Sequence, residues 1–121
     1  MNVLHRKQPF TAHRSASFSP DGYNRDWRIL QPGETLVLAD LEGPGAIAHL
    51  WFAIDNDHGV TDPLFPRKAV LRMYWDDCAD ASVNVPVGDF FGVGHGRVSN
   101  YTSALFDMSI NPGEDRGAFN S

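Results

Sequence analysis

Three short stretches hold the side chains best suited to chemistry. In Ser19-Pro-Asp-Gly-Tyr-Asn-Arg-Asp-Trp27, three short polar groups, Asp21, Asn24 and Asp26, lie within a turn-rich segment. Such groups accept hydrogen bonds from sugar hydroxyls, and they equally cap their own backbone in Asx turns. In Ile47-Ala-His-Leu-Trp-Phe-Ala-Ile54, strand alternation puts Leu50, Phe52 and Ile54 on a core face and Ile47, His49 and Trp51 on the other. An indole and an imidazole side by side suit a sugar, the one stacking on the ring's apolar face and the other bonding a hydroxyl. They equally suit packing under a loop or against a second sheet. In Pro86-Val-Gly-Asp-Phe-Phe-Gly-Val-Gly-His-Gly96, a strand runs into a loop with Asp89, the adjacent Phe90 and Phe91, His95, and glycines at 88, 92, 94 and 96. Glycine permits backbone angles and close approaches that other residues resist. The loop either offers Asp89 and His95 as polar contacts or plugs Phe90 and Phe91 into the core, and the two roles are compatible.

Other chemistries fit the residues poorly. Gly92-x-Gly94-x-Gly96 lacks the spacing of a dinucleotide fingerprint, and no helix is predicted after it to receive a phosphate. Asp76, Asp77 and Asp80, and likewise Asp55 and Asp57, lack the glycine and terminal glutamate of a calcium loop, so surface turns are expected there. The five histidines, at 5, 13, 49, 58 and 95, show no zinc spacing. No metal and no cofactor are expected. Cys78 lacks a nucleophile signature and reads as an inert thiol. Asn100-Tyr-Thr102 is a glycosylation sequon only in a secreted eukaryotic protein. A glycosidase usually needs two carboxylic residues flanking the scissile bond. The three glutamates do not form such a pair, because Glu34 and Glu42 fall in turns and Glu114 in the irregular C-terminal stretch.

The elements that must position these residues are strands. Thr35–Leu41 is β-rich, opened by Pro32-Gly33 and closed by Gly43-Pro44-Gly45, where a proline–glycine step suits a type II turn. Ala46–Ile54, Ala69–Trp75 and Tyr101–Ile110 are further strand candidates. Ala81–Val87 alternates cleanly, with Val83, Val85 and Val87 on one face, and Pro86 fits a strand end or an edge. Asp55–Pro66 is a polar insertion between strands. No stretch sustains a 3.6-residue period, and Gly (11) and Pro (8) punctuate the chain. Short strands with turns between them predict an all-β sandwich or barrel. The segment from Asn111 onward runs into a loop, so the chain is expected to stop short of a complete domain.

Size and charge narrow the function classes. A chain of 121 residues is one small domain, and 42% hydrophobic residues are ordinary for a globular protein. The net charge of −5, with only ten scattered Lys and Arg, gives no footprint for nucleic acid or an anionic membrane. One cysteine makes no internal disulfide. The first ten residues lack the apolar core of a signal peptide, and no apolar run approaches a bilayer span of about 20 residues. A soluble protein is expected.

The motifs together resemble one family. Asp21-Gly-Tyr-Asn-Arg-Asp26, Gly33-Glu34, Leu38-Ala-Asp-Leu-Glu-Gly-Pro-Gly45, Ile47-Ala-His-Leu-Trp51, Leu71-Arg-Met-Tyr-Trp-Asp76, Val83-Asn-Val-Pro-Val-Gly-Asp-Phe-Phe-Gly92 and Gly94-His-Gly96 follow in its order. The family is glycoside hydrolase family 172, first catalogued as domain of unknown function 2961, and the similarity runs from about Ser15 to the C-terminus. The resemblance implies a double jelly roll, of which residues 15–121 would be the N-terminal jelly-roll β-sandwich, cut short, after an irregular segment 1–14. It implies retaining hydrolysis of fructofuranosides or D-arabinofuranosides and trimer-based homo-oligomers. Two downstream glutamates would do the catalysis, so no catalytic residue is carried over and this chain alone is expected to be inactive. Substrate-contacting character carries over to Asp21, Asn24, Trp51, Asp89, Phe90 and His95. The sequence departs from the family at Tyr23, where many members have a second glycine, and at Asp77-Cys78-Ala79 after the Tyr-Trp-Asp strand. A non-catalytic carbohydrate-binding module and a structural jelly roll are the alternatives.

Overall fold

The alternating valines of Ala81–Val87 form one arm of a hairpin. In the computed structural model, which describes residues 9–55, 62, 64–96, 99–109 and 118–120, β2 (Val70–Met73) pairs antiparallel with β3 (Val83–Pro86). The register sets Leu71 opposite Val85 and Val70 opposite Pro86. Pro86 has no N–H to give to the ladder and stands at the strand end, as its chemistry requires. The hairpin reverses at Trp75–Cys78, where the Cys78 N–H donates to the Trp75 carbonyl (3.1 Å). Asp76 and Asp77 both take left-handed backbone angles, φ 57° and 55°, the conformation of a type I′ turn. The expected surface turn is therefore present, and the exposed Cys78 closes it.

Two other pairs complete the strands of the described residues. β1 (Ala53–Asp55) pairs with β6 (Ala118–Asn120), and β4 (Tyr101–Thr102) pairs with β5 (Asp107–Met108), both antiparallel. Tyr101–Met108 is thus a hairpin, where a single strand was expected to run from Tyr101. Ser103 turns it: its hydroxyl accepts the Phe106 N–H (3.0 Å), and its own N–H donates to the Phe106 carbonyl (2.8 Å). Two single-turn helices, α1 (Phe65–Lys68) and α2 (Val87–Phe90), flank the β2–β3 hairpin. With mostly non-helical backbone and small antiparallel pairs, the described residues are compatible with an all-β class. None of their helices is long and apolar enough to cross a membrane.

The chain divides into two compact units, Met1–Gly45 and Ala46–Ser121. The second holds the core: Phe65, Val87, Phe91, Val93 and Met108 are buried together, and Leu50, Phe52 and Ile54 pack against them. The first unit contains no strand ladder among its described residues, so Thr35–Leu41 is not paired as expected. Apolar content alone does not make a strand; it needs a partner backbone. In this unit, turns and side-chain bonds hold the chain instead. Arg28 donates to the Ser17 and Trp27 carbonyls (3.0 Å each) and to the Phe18 carbonyl (3.2 Å). The Ser15 hydroxyl donates to the Leu38 carbonyl. Gln31-Pro-Gly-Glu34 is the expected turn: Gly33 has φ 84°, and the Glu34 N–H donates to the Gln31 carbonyl (3.0 Å). At the second turn, Gly43 rather than Gly45 takes the positive φ.

Candidate functional site

The loop from Val87 to Gly96 is built on its two phenylalanines. Phe91 is buried and meets Phe52, Phe90 and Phe106 edge to face, with ring centroids 5.1–5.7 Å apart. Phe90 is half-buried and also meets Phe106 at 5.7 Å. Such aromatic contacts add stability beyond the area they bury. The Tyr101 hydroxyl donates to the Phe91 carbonyl. Desolvation first, and the Asp107 carboxylate second, raise the Tyr101 phenol above its ordinary value. The loop is therefore plugged into the core, as one of the two sequence readings has it.

The same loop carries the polar groups outward. Asp89 lies on α2, where the Arg67 Nη1 donates to both of its carboxylate oxygens at 2.8 Å. His95 is exposed and adopts φ 63°, inside the 3₁₀ turn Gly94–Gly96. A Cβ on Gly96 would stand 3.2 Å from the Arg67 Cγ, so the stem of Arg67 lies beside the residue next to His95. One arginine thus touches both ends of the loop. Its neighbour Lys68 instead pairs with Asp62. That bond first, and the Leu64 N–H second, hold the Asp62 carboxyl below its ordinary value.

Ahead of β1, burial alternates as the sequence predicts. Leu50, Phe52 and Ile54 are half-buried against the core, while His49, Trp51 and Ala53 are exposed. Trp51 is 65% exposed, on a segment whose opposite face is anchored. In the first unit, Asp21 and Asn24 are both exposed. Ser19-Pro-Asp-Gly22 closes through the Gly22 N–H to the Ser19 carbonyl (3.1 Å), with Gly22 at φ 78°. Asp21 Oδ1 accepts the Ser19 hydroxyl and, at 3.5 Å, the Tyr23 N–H. The serine bond is the main reason that the Asp21 carboxyl sits below its ordinary value. Asp21 is therefore a turn cap, whatever else it contacts. Gly22 supplies the left-handed angle of this turn, and Tyr23 takes none.

The two described glutamates, Glu34 and Glu42, both lie in the first unit. Glu34 Oε2 accepts the Gln31 N–H (2.9 Å) and clamps its own turn, and Glu42 is exposed. Among the described residues, no group of three or more His, Cys, Asp or Glu side chains could hold a metal. Asp57, His5, His58 and Glu114 lie outside the described residues.

A family model described as GH172 domain-like matches residues 23–112. The chain belongs to this family. No curated protein and no solved structure matches it. The GH172 span takes in Asn24, Trp51, Asp89, Phe90 and His95 and begins two residues after Asp21. It also includes Arg67 and Tyr101, to which the motif reading gave no role in the site. Arg67 carries no motif of its own, and only the packing of α1 against α2 gives it a role.

Proposed function

We propose that this chain supplies substrate contacts to a retaining glycoside hydrolase acting on furanose-containing glycans, as the N-terminal jelly roll of a double jelly roll. GH172 membership supports the hydrolase class. The observation that carries the substrate role is Trp51, 65% exposed while its neighbours Leu50 and Phe52 pack on the core. A rigidly backed, open indole is a stacking surface for the apolar face of a sugar ring, with His49 beside it as a hydroxyl partner. The described glutamates serve turns or stand exposed, which fits a division of labour in which two glutamates outside these residues do the catalysis. One would attack the anomeric carbon, and the other would protonate the leaving oxygen and then activate water.

Titration with a fructo-oligosaccharide and with an arabinofuranoside oligomer, followed by tryptophan fluorescence, tests this. Trp51→Ala is expected to weaken binding about 10- to 100-fold, and unchanged affinity removes Trp51 from the site. Release of product with retained anomeric configuration by the enzyme carrying this chain supports double displacement. Binding without turnover favours a non-catalytic carbohydrate module.

A further inference from the structure

Asp89 does not stand alone: it forms a fixed unit with Arg67, and the backbone makes it so. Pro66, immediately before Arg67, is fully buried, and Gly88, immediately before Asp89, is buried as well. A Cβ on Gly88 would stand 2.9 Å from the Pro66 Cβ and 3.2 Å from the Pro66 carbonyl oxygen. The two main chains therefore touch directly behind the pair, and only glycine allows that approach. Long side chains on open surface are usually held loosely; here both stems leave packed backbone.

The bonding within the pair leaves capacity for a ligand. Nη1 alone reaches Asp89, bridging both oxygens at 2.8 Å, in place of the fork-to-fork arrangement that would engage two guanidinium nitrogens. A guanidinium carries five N–H groups, and each carboxylate oxygen has two acceptor sites. Donors remain on Arg67 and acceptors on Asp89, and the side chains are 45% and 31% exposed. Exposed ion pairs contribute little to stability, so folding gives little reason for the pair.

We infer that Arg67 and Asp89 together bind a vicinal diol of a furanose ring, Asp89 accepting from one hydroxyl and Arg67 donating to the next. This rests on the sugar-binding role proposed above and adds to it a second, polar subsite with Arg67 as the new contact. The pair is net neutral, so it suits a neutral polyol; an anionic ligand would meet the Asp89 carboxylate. The stem of Arg67 also runs beside Gly96, the residue after His95.

The test titrates the full chain with a fructo-oligosaccharide, with the same oligosaccharide O-methylated at its hydroxyls, and with inorganic phosphate, comparing wild type, Arg67→Gln, Asp89→Asn and Trp51→Ala. Thermal unfolding of each variant is recorded alongside. Arg67→Gln and Asp89→Asn are each expected to weaken saccharide binding about 10- to 100-fold with nearly unchanged unfolding midpoints. The methylated saccharide is expected to bind wild type as weakly as those variants bind the parent sugar. Loss of saccharide affinity in Trp51→Ala but not in Arg67→Gln or Asp89→Asn overturns the diol subsite and leaves the stacking role standing. Phosphate binding that Asp89→Asn strengthens and saccharide does not displace also overturns it, in favour of an anion site. No saccharide binding by wild type overturns both proposals.

Discussion

Tyr101 links the loop to the core with a single hydroxyl. It donates to the Phe91 carbonyl, and at the next residue, Gly92, φ is 77° and a Cβ would lie 3.3 Å from the Tyr101 oxygen. Tyr101→Phe keeps the ring and removes the donor, so it is expected to cost about 1 kcal/mol, read from the denaturation midpoint. The raised phenol gives this a pH signature. In the folded chain the neutral form is favoured beyond its ordinary 10.0, so the unfolded chain releases the proton first as pH rises. The contribution is complete below that value and is lost as pH climbs through the folded one. Wild type should therefore lose stability more steeply above pH 10 than Tyr101→Phe. Equal slopes would show that the hydroxyl is not desolvated. Nothing in the sequence around Tyr101 marks this role, because the bond spans ten residues and depends on where Phe91 is buried.

At the scale of elements, the β2–β3 hairpin is the most legible feature and also carries a correctable strain. Its alternation is local and its register follows from it. The Asp76–Asp77 turn holds two consecutive left-handed residues that are not glycine. Aspartate tolerates that region better than most residues, yet still at a cost. Asp77→Gly is expected to stabilise the chain by about 0.5–1 kcal/mol, since Asp-Gly is a preferred type I′ pair. A lowered thermal midpoint would mean that the Asp77 side chain contributes more than its backbone costs. The helices α1 and α2 were not legible. Four residues do not nucleate a helix alone, and each single turn exists because Phe65, Pro66, Val87 and Gly88 are buried around it.

Across the whole chain, burial is unevenly shared. Every buried hydrophobic residue of the described chain lies between Phe65 and Met108, whereas large side chains of the first unit, among them Tyr23 (76%), Ile29 (74%) and Val37 (73%), are open to solvent. Among the described residues, the backbone bonds of the first unit are short-range turns, while in the second the Val87 N–H reaches the distant Ala69 carbonyl (2.8 Å) and the Val93 N–H closes the loop on Gly88 (2.7 Å). Hydrogen exchange on the isolated chain should therefore find protection at Val87, Phe91 and Val93, and near-unprotected rates across Thr35–Leu41. Protected amides in Thr35–Leu41 would overturn this reading of the first unit.

By itself the sequence determined what depends on near neighbours: the valine alternation of β3, the core and open faces of Leu50–Ile54, the turns at Pro32-Gly33 and at Asp76–Asp77, and the family. Periodicity and turn chemistry act over a few residues, so they survive reading in one dimension. Whether Thr35–Leu41 found a strand partner, how Phe90 and Phe91 entered the core, and that Arg67 meets Asp89 were decided only by the tertiary structure. Each needs two segments distant in the chain to meet, and that meeting is set by how backbones such as those at Pro66 and Gly88 pack, a property no local pattern encodes.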